Sequence, residues 1–197
     1  MFISIVCCNA SEMIDIGVRD SKKLSVVRRR ELYAEIVKRS VLLKTVRVDP
    51  EELNTLMNYH TLNQIELMKA SDLIRNAIYP VYVDSFDVEP DRLESELSRS
   101  TSQPVHCAHK ADDTYPSVAA ASIVSKHLRD TAVSQLSTRY GEIGSGYPSD
   151  PRTVSFLAEA FRRGDDLSQI ARTHWETYIR IRKAVLSSKL SDFNGES

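Results

Sequence analysis

A chain of 197 residues with 42% hydrophobic and 27% charged residues has the composition of one ordinary globular domain large enough for a sizeable core, with room for a helical subdomain or tail. No apolar run approaches the ~18 residues needed to cross a bilayer, which excludes a helical membrane protein. A formal net charge of −1 argues against indiscriminate nucleic-acid binding.

Met1-Phe2-Ile3-Ser4-Ile5-Val6-Cys7-Cys8 lacks the basic start and long apolar core of a signal peptide, so residues 2–8 are predicted as a buried strand. Ser11 to Ile16 reads as a short helix and Asp20-Ser21-Lys22-Lys23 as a loop. Ser25 caps a helix reaching Ser40, with Leu32, Ile36 and Val37 on its apolar side. The β-branched stretch Val41 to Val48 is a strand, and Asp49-Pro50 opens a helix with proline at its first position. Thr61 and Gln64 form a capping box for a helix that ends before Pro80. Val81-Tyr82-Val83 is a short buried strand, Pro90 to Arg99 a polar helix, and Pro104 to Cys107 another strand. A long helix is predicted over Tyr115 to Arg139. A glycine-rich loop, Gly141 to Tyr147, follows it, then a helix from Asp150-Pro151 to Gly164 and a last one over Trp175 to Leu186. Strands alternating with helices indicate an α/β domain around a mixed sheet, followed by a helical carboxyl-terminal portion.

Cys7, Cys8 and Cys107 show no metal-ligand spacing, and adjacent Cys7 and Cys8 point to opposite faces of a strand. All are expected to be reduced thiols in a cytoplasmic protein. Charge is uneven along the chain. Arg19 to Arg47 and Arg172 to Lys189 are basic, whereas acids dominate from Asp49 to Glu96. Basic flanks around an acidic middle suit a polyanion, although solvated helix faces would produce the same pattern.

Asp84 follows three strand formers and so marks a strand end, where α/β sheets place their sites. A carboxylate at a buried strand end is costly unless a metal, water or a base satisfies it. The competing reading is a turn aspartate capping the next helix, a task for which Asp87 is better placed. Asp112 and Asp113 precede the long helix, where either could be a cap. An oxygen-only pair such as Asp84 with Asp112 suits Mg²⁺ or Mn²⁺ and not zinc. Ser122, Lys126 and Arg129 share a helix face that could serve a phosphate backbone or be a salt-bridged surface. In Gly144-Ser145-Gly146-Tyr147-Pro148-Ser149-Asp150-Pro151 the glycines permit close backbone approach, and Tyr147 offers a ring and hydroxyl to a sugar; a structural turn with a packing tyrosine is the alternative. Walker A, dinucleotide-binding, nucleophile-elbow and zinc-hydrolase motifs are absent from the sequence.

Together these segments resemble the ribonuclease HII family in its archaeal-type form. The resemblance rests on Asp20-Ser21-Lys22-Lys23-Leu24-Ser25, Val83-Asp84-Ser85, Lys110-Ala111-Asp112, Ala119-Ala120-Ala121-Ser122 with Lys126 and Arg129-Asp130, the Gly144 to Pro151 loop, and Arg172-Thr173-His174-Trp175. It implies a ribonuclease H-like fold and cleavage of the RNA strand in RNA–DNA hybrids, including single ribonucleotides embedded in duplex DNA. By the same resemblance, hydrolysis uses two ions of Mg²⁺ or Mn²⁺ and leaves 5′-phosphate and 3′-hydroxyl ends. Asp84 and Asp112 match metal-binding catalytic carboxylates, and Tyr147 matches the residue that senses the ribonucleotide–deoxyribonucleotide junction. Lys22 matches a phosphate-contacting lysine, with Lys23 a weaker match. Residues 1–140 are then the catalytic domain, 141–190 the sensing loop with carboxyl-terminal helices, and 191–197 a disordered tail. The tail lacks the paired aromatics of a sliding-clamp signature, and the protein is expected to be a monomer.

The family opens with a strand carrying an Asp-Glu pair followed by Ala-Gly-Arg-Gly or a close variant, and no such sequence occurs here. The chain starts in what resembles the family's second strand. The expectation is therefore that Met1 is an internal methionine of a longer protein, with a gap in the sheet beside the strand ending in Asp84. A truncated, inactive protein that binds hybrids is the alternative.

Overall fold

The computed structural model describes residues 1–18 and 24–194. Lys22 and Lys23, and the loop expected around them, lie outside the described residues. The chain forms two compact units, one of residues 2–47 and 60–129, the other of residue 1, residues 48–59 and residues from 130 onward.

In the first unit, β1 (Phe2–Cys7) pairs antiparallel with β2 (Leu42–Arg47), Phe2 opposite Arg47 and Cys7 opposite Leu42. Between them lie α1 (Ala10–Asp15) and α2 (Val26–Arg39). Asn9 caps α1 by accepting the Ser11 N–H, and Ser25 caps α2 by accepting that of Arg28. Helix α4 (Leu62–Ile74) opens on the full Thr61–Gln64 capping box. Strand β3 (Val81–Asp84), helix α5 (Pro90–Thr101) and strand β4 (Val105–Ala108) form a right-sized crossover unit whose strands run parallel, Asp84 opposite Ala108. The strands therefore form an antiparallel pair and a parallel pair, and among the described residues no ladder joins β1 to β3. The alternation expected of a mixed α/β fold is present, while the sheet itself is interrupted.

Two cores hold this unit. One gathers Val6, Met13, Leu32, Ile36, Ala119, Ala120, Ile123 and Val124, so the small residues at the start of the long helix bring it close to β1 and α2. The other packs Val81 and Val105 with Ile74, Leu93 and Leu97. Side chains alternate along a strand, so Val81 and Val83 face this core and Tyr82 and Asp84 the opposite side.

The predicted long helix is divided. A short α6 (Ala111–Thr114) precedes α7 (Pro116–Tyr140), with Tyr115 extended between them at φ −108° and ψ 113°. The proline explains the break, since its ring disfavours helical geometry in the residue before it.

In the second unit, α3 (Pro50–Leu56) stands with α8 (Pro151–Arg163) and α9 (Glu176–Asn194). Their core joins Leu157, Ala160, Phe161, Leu167, Tyr178, Ile181 and Val185, with Phe161 and Tyr178 edge to face. Gly164 ends α8 in the left-handed conformation, φ 86°. Helix α9 runs beyond the expected end at Leu186 and four residues into the stretch expected to be disordered, because no glycine or proline interrupts it before Gly195.

A single boundary at residue 140 does not describe these units. Asn54 explains why α3 belongs with the carboxyl-terminal helices: its Nδ2 donates to the carbonyls of Ser168 (2.8 Å) and Ala171 (3.0 Å), and its Oδ1 accepts the Thr173 N–H (2.9 Å). Among the described residues no helix is long and apolar enough to cross a membrane.

Asn54→Ala leaves those partly buried backbone groups unmatched and is expected to destabilise the second unit by about 2 kcal/mol. Asn54→Asp should be no better, since it turns a donor pair into an acceptor facing two carbonyls. Trp175, the only tryptophan and packed against this core, reports both by fluorescence in urea titrations. In the first unit Ile123→Ala, at a fully buried position, should cost about 2–5 kcal/mol. Ile78→Ala, at an exposed one, should change stability by less than about 0.5 kcal/mol, both variants being read by circular dichroism in urea titrations.

Candidate functional site

One backbone group ties Asp84 to the turn that carries Asp112. The chain leaves β4 at Ala108 and turns at Lys110, a non-glycine residue at φ 55° and ψ 38°. That left-handed turn carries a steric cost of roughly 1–2 kcal/mol. It directs the Ala111 N–H back at β3, where Asp84 Oδ1 accepts it at 3.1 Å. Asp112 is the next residue, so both aspartates belong to the segments that leave the carboxyl ends of the parallel strands.

Their settings differ from expectation. Asp84, read from sequence as a buried strand-end carboxylate, is exposed, whereas Asp112 is buried. Neither Asp112 nor Asp113 is a helix cap, because both lie inside α6 and the cap position is Lys110. Neither Asp84 nor Asp87 caps the next helix, whose N-cap position is Glu89 with no side-chain cap bond; Asp87 instead braces the turn before it. Its Oδ1 accepts the Glu89 N–H at 2.9 Å and its Oδ2 takes the Arg92 guanidinium. Those bonds, the Glu89 N–H first, hold the Asp87 carboxyl below the usual carboxylate range.

An aromatic group beside this pair escaped the sequence reading. Tyr82 stacks on Tyr115 with ring centroids 4.2 Å apart and tilts against His106 at 5.4 Å. Tyr115 in turn donates its N–H to Ala111 O at 2.8 Å. The stack thus ties the α6 turn to the face of β3 that carries Asp84. The signal was present in the period of two that puts Tyr82 on the face of Asp84, and in a tyrosine directly before Pro116. A shallow cavity of about 380 Å³ opens along these rings, lined also by Glu94 and Cys107. Glu94 accepts the Cys107 N–H at 2.9 Å, and burial followed by that carboxylate pushes the Cys107 thiol up to about 12. Burial also raises the Cys8 thiol, so both stay protonated at neutral pH.

Ser122, Lys126 and Arg129 lie on one face of α7 and are all partly buried. Tyr147 belongs to the second unit. Its loop folds onto the start of α8, where Asp150 is the cap: Oδ1 accepts the Arg152 N–H at 3.0 Å and Oδ2 the Ser145 N–H at 2.6 Å. Thr153 Oγ1 accepts the Gly146 N–H at 2.9 Å. Gly144 sits at φ 75°, and a Cβ there would meet the Thr153 nitrogen at 2.8 Å, so no larger residue fits. The Asp150 carboxyl is driven well below its ordinary value, chiefly by the Ser145 backbone and side chain and then by the Arg152 N–H. Tyr147 rides on this frame with about half its surface exposed.

Asp84 and Asp112 are hard oxygen donors, and Mg²⁺ is commonly held by one or two carboxylates plus substrate phosphates. The donor set fits such an ion. Among the described residues, no cluster of three or more His, Cys, Asp or Glu side chains suited to a metal is formed.

The ribonuclease HII family profile matches residues 1–178. A ribonuclease HII from Thermoplasma volcanium is 46% identical over 189 residues, covering 96% of this chain and 89% of the relative. Among solved structures, the ribonuclease HII of a PCNA:RNase HII complex from Archaeoglobus fulgidus superposes with a TM-score of 0.85 at 39% identity, covering 92% of this chain and 88% of that one. Ribonuclease H2 from Pyrococcus horikoshii gives 0.81 at 31% identity, covering 94% and 99%. With the paired carboxylates at the strand ends and the ordered glycine loop, these matches place the chain in the ribonuclease HII family of endonucleolytic hydrolases.

Proposed function

We propose that this chain acts on RNA–DNA hybrids and on single ribonucleotides embedded in duplex DNA, through a metal site built on Asp84 and Asp112. The observation that carries the reading is the Asp84–Ala111 hydrogen bond, which ties Asp84 to the residue directly before Asp112. Divalent ions at these carboxylates, two of Mg²⁺ or Mn²⁺, would supply a nucleophilic water near neutral pH and offset charge on the scissile phosphate. Asp84, exposed at the strand end, is open to substrate, while the buried Asp112 is held rigidly by α6. Water adds to phosphorus, the bond to the 3′ oxygen breaks, and that oxygen leaves protonated, giving 3′-hydroxyl and 5′-phosphate ends. Ser122, Lys126 and Arg129 offer hydroxyl and cationic groups to the phosphate backbone, and Lys22 and Lys23 are assigned the same role by resemblance. Tyr147 places its ring against the sugar, where a 2′-hydroxyl distinguishes RNA from DNA.

The working form is proposed as a cytoplasmic monomer. No sliding-clamp partner is assigned, because Ser191 to Ser197 holds a single aromatic, Phe193. A second reading, hybrid binding without cleavage, is favoured by one observation: among the described residues no group of three or more His, Cys, Asp or Glu side chains suited to a metal is formed.

Gel-resolved cleavage of a duplex with one embedded ribonucleotide decides between these readings. Cutting on the 5′ side of the phosphate with Mg²⁺ or Mn²⁺, abolished by a chelator, supports the first. Asp84→Asn and Asp112→Asn should each lower the rate by more than the roughly 100-fold that loss of an outer-shell partner costs a metal site. Binding without cutting supports the second, and wild-type rates in both variants would sink the metal assignment.

A further inference from the structure

The Gly144 to Asp150 loop is held at two points by side chains of α8, and neither contact is needed to build the helix itself. A helix cap requires one acceptor, which Asp150 Oδ1 already provides to the Arg152 N–H. Its second oxygen faces away from that role and binds the Ser145 N–H at 2.6 Å. Thr153 is the third residue of α8, within its first turn, and is buried at 3% exposure. Its Oγ1 accepts the Gly146 N–H at 2.9 Å. Ser145 Oγ adds a bond from the Tyr147 N–H at 3.4 Å, and the Asp150 N–H donates to Tyr147 O at 3.1 Å. The peptide groups on both sides of Tyr147 are therefore fixed, with the amides of residues 145 and 146 anchored to Asp150 and Thr153 and the carbonyl of residue 147 anchored to the helix start.

This arrangement is over-determined for a plain turn. Gly144 has no space for a Cβ against Thr153, Arg152 and Asp150, so the loop is pressed directly onto the helix end. Glu142 takes the Arg152 guanidinium at 3.3 Å, closing the loop from its other side. An aromatic side chain half exposed on such a rigid frame loses little conformational entropy when it meets a ligand.

We propose that Thr153 and the second carboxylate oxygen of Asp150 are positioning residues that aim Tyr147 at the sugar of the substrate. The inference rests on Tyr147 being the sugar-contacting residue of the proposed function. Thr153 and Asp150 touch no substrate and act through the tyrosine. Their contribution appears in the preference for a ribonucleotide over a deoxyribonucleotide, because only a correctly aimed ring senses the 2′-hydroxyl.

The test uses the full 197-residue chain and two fluorescent duplexes that differ only in one 2′-hydroxyl, with affinities measured by anisotropy at fixed salt. The quantity read is the ratio of the two affinities. Thr153→Val keeps the shape of the side chain and removes the acceptor. It should lower the ratio about five-fold, what one net hydrogen bond of roughly 1 kcal/mol is worth. Thr153→Ser restores the hydroxyl and should restore the ratio. Asp150→Asn keeps one acceptor for the cap and should behave as Thr153→Val does. Tyr147→Ala sets the floor, and adding Thr153→Val to it should lower the ratio no further, since a positioning residue has nothing left to position. If Tyr147→Ala lowers the ratio and Thr153→Val leaves it at the wild-type value, positioning by Thr153 is overturned while the sugar-sensing reading stands. If Tyr147→Ala itself leaves the ratio unchanged, the sugar-sensing reading falls and takes this inference with it. A simple folding defect is told apart by Thr153→Val lowering both affinities in proportion, with the ratio preserved, which also overturns the proposal.

Discussion

A single hydrogen bond from the Ala111 amide to Asp84 ties the end of one parallel strand to the turn that leaves the other. A parallel strand pair delivers its chain ends to the same edge but does not by itself link them. The left-handed Lys110 turn does that, by reversing the amide of the next residue toward the neighbouring strand. Asp112 then follows inside a short helix that Pro116 separates from the long one. The Tyr82–Tyr115 stack holds this turn against β3. The turn, the proline break and the stack together link the segment of Asp112 to a strand end 28 positions earlier in sequence, at Asp84.

The second unit uses the same physical device with different side chains. Short polar residues on helices satisfy backbone groups of loops that would otherwise be poorly ordered. Asp150 and Thr153 do so for the glycine loop, and Asn54 does so for the segment that leads into Trp175. In each case a side chain on a helix organises an irregular segment, which is how a loop can present an aromatic in a fixed direction without a sheet behind it.

Much of this was legible in the sequence because it is local. Ser25, the Thr61–Gln64 box, Asp150-Pro151 and Gly164 announce helix ends within a few residues of where the ends fall, since capping is satisfied by neighbours. Asp84 and Asp112 were picked out by position and resemblance, and in the structure Asp84 bonds the backbone of Ala111, the residue before Asp112. What the sequence concealed was non-local. That Asp84 would be exposed and Asp112 buried depends on how α6 sits, and α6 exists only because Tyr115 is kept extended by the proline after it. The allegiance of α3 to residues more than a hundred positions away rests on the amide of Asn54, which carries no periodic signature. The aromatic stack was missed because Tyr82 reads equally well as an ordinary strand residue.

The Asn54 bonds bear on how the protein is made. Its partners lie 114, 117 and 119 residues downstream, so during synthesis α3 emerges with nothing to dock against until nearly the whole chain has been translated. The first unit can assemble its crossover and both cores around it in the meantime, because those contacts close over residues already available. The second unit has to wait, and a contact of such long range is slow to form because the intervening chain loses entropy in closing. A ribosome-bound intermediate should therefore carry a finished first unit while the Asn54 amide still awaits the carbonyls and amide it will bond.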